Sequence, residues 1–90
     1  MLILETTVQF RRDYKKMMKR GLERALIEAV IDTLLAEQPL APKYRDHALT
    51  GNYKGFRECH IQPDWLLIYK IDRGNLILTA ARTGTHADLL

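Results

Sequence analysis

The spacing of apolar residues along the chain changes character several times. Leu2-Ile3-Leu4-Glu5-Thr6-Thr7-Val8 is rich in branched residues and predicts an opening strand. From Phe10 the period lengthens. Phe10, Tyr14, Met17 and Met18 recur at helical spacing and form one apolar stripe. Arg11, Lys15 and Lys19 fall on another face, with Arg12, Lys16 and Arg20 beside them. Thr6 or Thr7 is placed to cap this helix, and Gly21 to stop it. A second helix is predicted from Leu22 to Ala36. Its core stripe is Leu22, Leu26, Ala29, Val30, Thr33 and Leu34, widened by Ile27, Ile31 and Leu35. Pro39 ends it. Two helices joined around Gly21 predict an antiparallel hairpin.

Residues 37–53 hold Pro39, Pro42 and Gly51 and little periodicity, so they read as a long surface loop. A loop of that length in a small domain is often functional. Three strands follow: Lys54 to Ile61, Asp64 to Ile71 and Leu76 to Arg82. Gln62-Pro63 connects the first pair tightly, and Asp72-Arg73-Gly74-Asn75 turns between the second. The tail from Thr83 has room for one helical turn. The predicted class is α+β, in the order β-α-α-β-β-β. A helix hairpin covers one face of a mainly antiparallel four-stranded sheet. No repeat or linker divides residues 1–90, which read as a single domain.

Composition narrows the partners. A hydrophobic share of 47% is enough for one modest core. The net charge is +3, and seven of the 14 Lys and Arg residues lie within the first 24 positions. That permits a nucleic-acid partner without requiring one. Cys59 is the single cysteine, so no internal disulfide forms, as suits a reducing compartment. No apolar run is long enough for a membrane span, and Met1 to Glu5 is too short and too soon acidic for a signal peptide. A cytoplasmic protein with no membrane partner is expected.

Topology then places the candidate chemistry. If the strand ending near His60 runs upward, the following turn puts Asp64 at the top of the next strand. The last strand runs up again and ends at Arg82, with His86 four residues later. His60, Asp64, Arg82 and His86 should therefore gather at one end of the sheet. His47 lies in a loop that can fold across the same end. Phosphodiester cleavage in RNA needs such a set: a base for the 2′-hydroxyl, an acid for the leaving 5′-oxygen, and positive charge for the transition state. Histidine exchanges protons near neutrality, and arginine grips phosphate with a planar fork. Trp65 offers a flat surface for a base.

Each residue also has a structural reading. A strand-end histidine is usually a surface residue, and Asp64 after proline is a common turn residue. Trp65 and Tyr69 alternate with Leu67 on one strand face, and core packing explains them better than ligand stacking. Lys54 and Arg57 are phosphate contacts or solvated charges, and the basic first helix is a solvated face or a surface for RNA backbone or an acidic partner. Cys59 should face away from His60 as a small buried hydrophobe. The imidazoles and Asp64 are legitimate zinc ligands, but no HxxxH or CxxC spacing supports a metal site. There is no glycine-rich phosphate loop and no nucleophile elbow.

The stretch from Tyr44 to Lys70, with Asp46-His47, His60-Ile61-Gln62-Pro63-Asp64-Trp65 and Tyr69-Lys70, resembles the core of the YafQ-type toxins. These belong to the RelE/ParE superfamily of toxin–antitoxin modules. Arg82-Thr83-Gly84-Thr85-His86-Ala87-Asp88-Leu89 resembles their closing motif. The resemblance is specific from about Pro42 to Leu89 and rests on element order before that. It implies a RelE-like fold and a ribosome-dependent messenger-RNA endonuclease that cuts the codon in the aminoacyl site, without metal or other cofactor. By analogy His86 is the leading acid or base. His47 and His60 share proton transfer and positioning, Asp64 orients or acts as base, and Arg82 stabilises phosphate. Trp65, Lys54, Arg57, Arg11, Lys15 and Lys19 are candidate RNA contacts. The implied partners are a small acidic antitoxin, messenger RNA with 16S ribosomal RNA, and operator DNA through the antitoxin complex alone. Relatives commonly carry an aromatic residue just after the closing motif, where this chain has Leu90.

Two alternatives share the fold: a ParE-like toxin that poisons DNA gyrase without nuclease activity, and a degenerate toxin kept as a binding module. The histidine set argues against the first.

Overall fold

The computed structural model describes residues 1–89, so the position of Leu90 lies outside it. The chain opens with strand β1 (Ile3–Thr6), followed by helices α1 (Val8–Lys19) and α2 (Arg24–Leu35). A single 3-10 turn at Pro42–Tyr44 leads to the two-residue strand β2 (His47–Ala48). A second such turn at Gly51–Tyr53 leads to β3 (Arg57–Gln62), β4 (Trp65–Asp72) and β5 (Ile77–Gly84), and a one-turn helix α3 (His86–Leu89) follows.

The strands form one sheet in the order β1-β5-β4-β3-β2. β1 runs parallel to β5, and the other neighbours are antiparallel. The sheet thus has five strands where four were expected. The addition is β2, whose two residues pair with Arg57 and Glu58 inside the long loop. β3, β4 and β5 end one or two residues later than their apolar runs predict, while β1 ends two residues earlier, at Thr6.

The helix ends follow local chemistry. Thr7 caps α1, its hydroxyl accepting from the Phe10 amide at 2.9 Å. At the other end Gly21 adopts φ 88°, with its amide on the Met18 carbonyl and the Leu22 amide on that of Met17. This paired closure needs a left-handed residue, which glycine supplies without strain. α1 buries Phe10, Asp13 and Met17, while α2 buries Ile27, Val30 and Leu34. The α2 stripe is therefore rotated from the expected one, and Ala29 is exposed.

The core lies between the helices and one face of the sheet, where Cys59, Ile61, Trp65, Leu67, Tyr69, Leu78 and Ala80 meet the helix residues. β4 is buried on both faces: Leu66 and Ile68 alternate with the core set and are buried too. The loop before β3 reaches toward this second face, with the Lys70 ammonium 5.3 Å from the Phe56 ring centre.

Candidate active site

The sheet register decides which side chains share the face away from the helices. Directly paired residues in antiparallel strands point the same way. His47 pairs with Glu58, Glu58 with Ile68, and Ile68 with Arg82, which makes one row across four strands. The next row toward the sheet's end is His60, Leu66 and Gly84.

Arg82 joins this face through a bulge. Leu78 and Ala80 point to the core, and simple alternation would send position 82 there too. The pairing shifts between Ile68 and Tyr69, leaving Ala81 extra. Beyond it Thr83 takes the core side, and Arg82 the open one.

Three imidazoles stand in series at this pole. The ring centres of His47 and His60 are 6.4 Å apart, and those of His60 and His86 5.5 Å. His86 Nδ1 lies 2.6 Å from Asp64 Oδ1, and its backbone amide donates to the same oxygen at 2.9 Å. The amide, and then the ring, hold the Asp64 carboxyl below the usual carboxylate range. Asp64 is therefore ionised at neutral pH and accepts a proton bond from Nδ1. That leaves His86 Nε2 for a substrate, in an orienting arrangement familiar from nucleophile–base–acid triads. His60 Nδ1 approaches the Pro63 carbonyl at 3.3 Å. His47 Nδ1 is 2.7 Å from the Arg45 carbonyl, and its Nε2 faces the Glu58 carboxylate at 3.5 Å.

Arg82 shares the face but not the cluster. Its Nε and Nη2 donate to Asp13 of α1 at 2.7 and 3.2 Å. β1 stops opposite Ala80, so the outer edge of β5 beyond it has no strand beside it. α1 covers that edge instead: the Thr7 hydroxyl donates to the Ala81 carbonyl at 2.8 Å, and Asp13 accepts from the Thr83 amide at 3.2 Å. Burial alone would raise the Asp13 carboxyl, but hydrogen bonds from Arg82, Gln9 and the Thr83 amide outweigh it and hold it low.

The stacking surface expected of Trp65 is overturned. Trp65 is 1% exposed, and its indole N–H donates to the Thr83 hydroxyl at 2.9 Å. Its strand position faces the helices, so no stacking surface remains. Arg57 pairs with Tyr69, on the side away from His60, and donates to Asp46 through Nε and Nη2, each at 3.2 Å. Lys54 is exposed beside the loop, while Arg11, Lys15 and Lys19 form a row on the outward side of α1. Arg11 folds back onto the Thr6 carbonyl and hydroxyl, both at 2.9 Å. Cys59 points into the core as expected, and burial pushes its thiol up to about 12.

The acids were the residues missed. Asp13 interrupts the apolar stripe between Phe10 and Met17, and an acid there needs a buried partner. Glu58 sits two positions before His60 on the same strand face. Asp46 precedes His47 and accepts from the Tyr69 hydroxyl at 2.5 Å, which ties down the loop. Among the described residues, no group of three or more His, Cys, Asp or Glu side chains is arranged to hold a metal ion.

Comparison with known proteins gives this geometry a family. The profile described as "Bacterial toxin of type II toxin-antitoxin system, YafQ" matches residues 2–90. The chain belongs to the YafQ family of toxins. The mRNA interferase toxin YafQ of Escherichia coli K12 is 38% identical over 87 residues, which is 96% of this chain and 92% of that protein. A metal-bound toxin from Helicobacter pylori superposes with a TM-score of 0.94 at 46% identity, and each chain is covered completely. YafQ in the E. coli DinJ–YafQ complex superposes with a TM-score of 0.91 at 36% identity, covering 100% of this chain and 99% of that one. The resemblance read from the closing motif therefore holds over the full length. The YafQ-type fold here is the expected helix pair on a mainly antiparallel sheet.

Proposed function

We propose that this YafQ-family toxin is a ribosome-dependent endoribonuclease that cuts messenger RNA by acid–base chemistry from its own side chains. The observation that carries the reading is the His86–Asp64 pair standing in series with His60 and His47. One imidazole takes the 2′-hydroxyl proton, and the oxyanion attacks phosphorus. The bond to the 5′-oxygen breaks as a second imidazole delivers a proton to it. The products are a 2′,3′-cyclic phosphate and a 5′-hydroxyl. Asp64 fixes the His86 ring, and Arg82 supplies positive charge from the adjoining row. The name of the E. coli relative, mRNA interferase, supports the substrate class. The DinJ–YafQ complex supports a small antitoxin as partner. The compartment of action is the cytoplasm, where ribosomes and messenger RNA meet.

Purified toxin added to translating ribosomes yields codon-phased cuts that persist in EDTA. His86→Ala lowers the cleavage rate by about 10²–10⁴-fold and leaves the fold intact by circular dichroism. Full activity in His86→Ala would remove the assignment. Loss of activity in EDTA, restored by added metal, would remove the metal-free mechanism. Gyrase-dependent DNA breaks with intact messenger RNA would point to the ParE-like alternative.

A further inference from the structure

The helix that carries His86 is a single turn, too short to be stable alone. Its own cap is reciprocal: the Thr85 hydroxyl accepts from the Asp88 amide at 3.2 Å, and the Asp88 carboxylate from the Thr85 amide at 2.9 Å. The same carboxylate reaches a second element. Arg20, at the end of α1, donates Nη1 and Nη2 to Asp88 at 2.7 and 3.1 Å, and Lys16 Nζ stands 3.5 Å away. The Asp88 side chain is only 17% exposed, so this fork is partly shielded from water. Arg20 is itself fixed, because it closes α1 just before the left-handed Gly21. The backbone also passes close by: a Cβ at Gly84 would sit 3.0 Å from that of Asp88.

We propose that Arg20 and Asp88 form an ionic latch that positions His86, which makes Arg20 a positioning residue for RNA cleavage and not an RNA contact. The proposal rests on the role given to His86 above. His86 is held from two sides. Asp64 grips its ring and amide from the β3–β4 turn, while Asp88 ties its helix to α1. Without the fork, the Asp64 contact alone must hold the ring against the motion of a one-turn helix. Displacing a catalytic group by about an ångström is enough to slow chemistry up to 10²-fold.

The test is a double-mutant cycle on the full chain, with Asp88→Asn, Arg20→Gln and the double variant assayed on programmed ribosomes. Asp88→Asn makes the protein more positive, so weaker attraction to RNA cannot explain a loss. The expected result is a fall in kcat of roughly tenfold or more in each single variant, with no rise in KM for Asp88→Asn. The double variant should be no worse than either single one. If Arg20 is only an RNA contact, Arg20→Gln raises KM, Asp88→Asn lowers it and kcat stays put. That pattern overturns the latch. A second readout does not depend on catalysis. Backbone 15N heteronuclear NOE values at residues 85–89 should drop in Asp88→Asn, with the His86 ring resonances shifted and the other residues unchanged. Unaltered NOE values and ring resonances overturn the latch even where His86→Ala shows that His86 is not catalytic.

Discussion

Asp13 is a carboxylate on the buried side of a helix, and three donors share it: the Arg82 guanidinium, the Gln9 amide and the Thr83 backbone. Its side chain is 10% exposed and that of Arg82 25%, so the pair is largely shielded. Asp13→Asn keeps the shape and removes the charge. Charge-assisted hydrogen bonds of this kind contribute about 2 kcal/mol, so the variant should melt roughly 10 °C lower at pH 7. The carboxyl is held below its ordinary 3.8, so its contribution is complete above that value and is lost as the pH falls through the depressed one. The gap between wild type and Asp13→Asn should therefore narrow in melts taken below pH 4. A gap that widens in acid would contradict the assignment. Asp64→Asn tests the other aspartate. It should lower kcat by about 10²-fold and leave thermal stability near wild type, since Asp64 is exposed. Legibility at this scale divides by chemistry. His47, His60, Asp64 and His86 were readable because a meander must bring its turn residues to common ends, and the chain has just these three histidines. For Trp65 core packing, the better of its two readings, is the one realised, while the side of the sheet that Arg57 takes depends on register, which one strand alone does not reveal. The partners of the cations, Asp13, Asp46 and Asp88, lie 69, 11 and 68 positions from Arg82, Arg57 and Arg20. No local pattern announces such pairs.

β5 joins the core to the reacting pole, and Thr83 is where it does so. Its hydroxyl accepts from the Trp65 indole at 2.9 Å and donates to the Leu66 carbonyl at 2.6 Å. Thr83→Val preserves volume but orphans a buried N–H, which costs about 2 kcal/mol. Thermal unfolding should move down by roughly 10 °C, and the emission of Trp65, the chain's one tryptophan, should shift. Cleavage should fall as well, because the same strand ends hold Asp64 and Arg82. A variant melting within about 2 °C of wild type would show that this bond carries little. The elements themselves were mostly visible in advance. Gly21, Thr7 and the Asp72–Asn75 turn act through local backbone chemistry, which sequence states directly. β4 announced itself as a continuous apolar run because both its faces are covered. Two features left no mark. β2 is too short to show a period. The extra residue at Ala81 reads as ordinary alternation until its partner strand is known, and it is this residue that turns Arg82 to the open face.

Charge at the scale of the whole molecule sorts α1 into two rows. Lys16 and Arg20 lean toward α3 and share Asp88. Elsewhere Arg57, Arg73 and Arg82 are matched with Asp46, Glu37 and Asp13. Arg11, Lys15 and Lys19 point outward four residues apart and, among the described residues, have no acid within 4.0 Å. If the substrate is messenger RNA on the ribosome, as proposed, exposed cations in such a row have phosphates as their natural partner. Each phosphate contact releases counterions and adds about 0.7–0.9 to the slope of log affinity against log salt. Replacing Arg11, Lys15 and Lys19 together with Gln should reduce that slope by roughly 2–3 for toxin binding to ribosomes. The loss should appear in KM and not in kcat, the reverse of what His86→Ala does. Titrating KCl in a ribosome-binding assay separates the two. An unchanged slope would assign this row to the antitoxin's acidic surface, and weaker antitoxin binding by the same triple variant would confirm that reassignment.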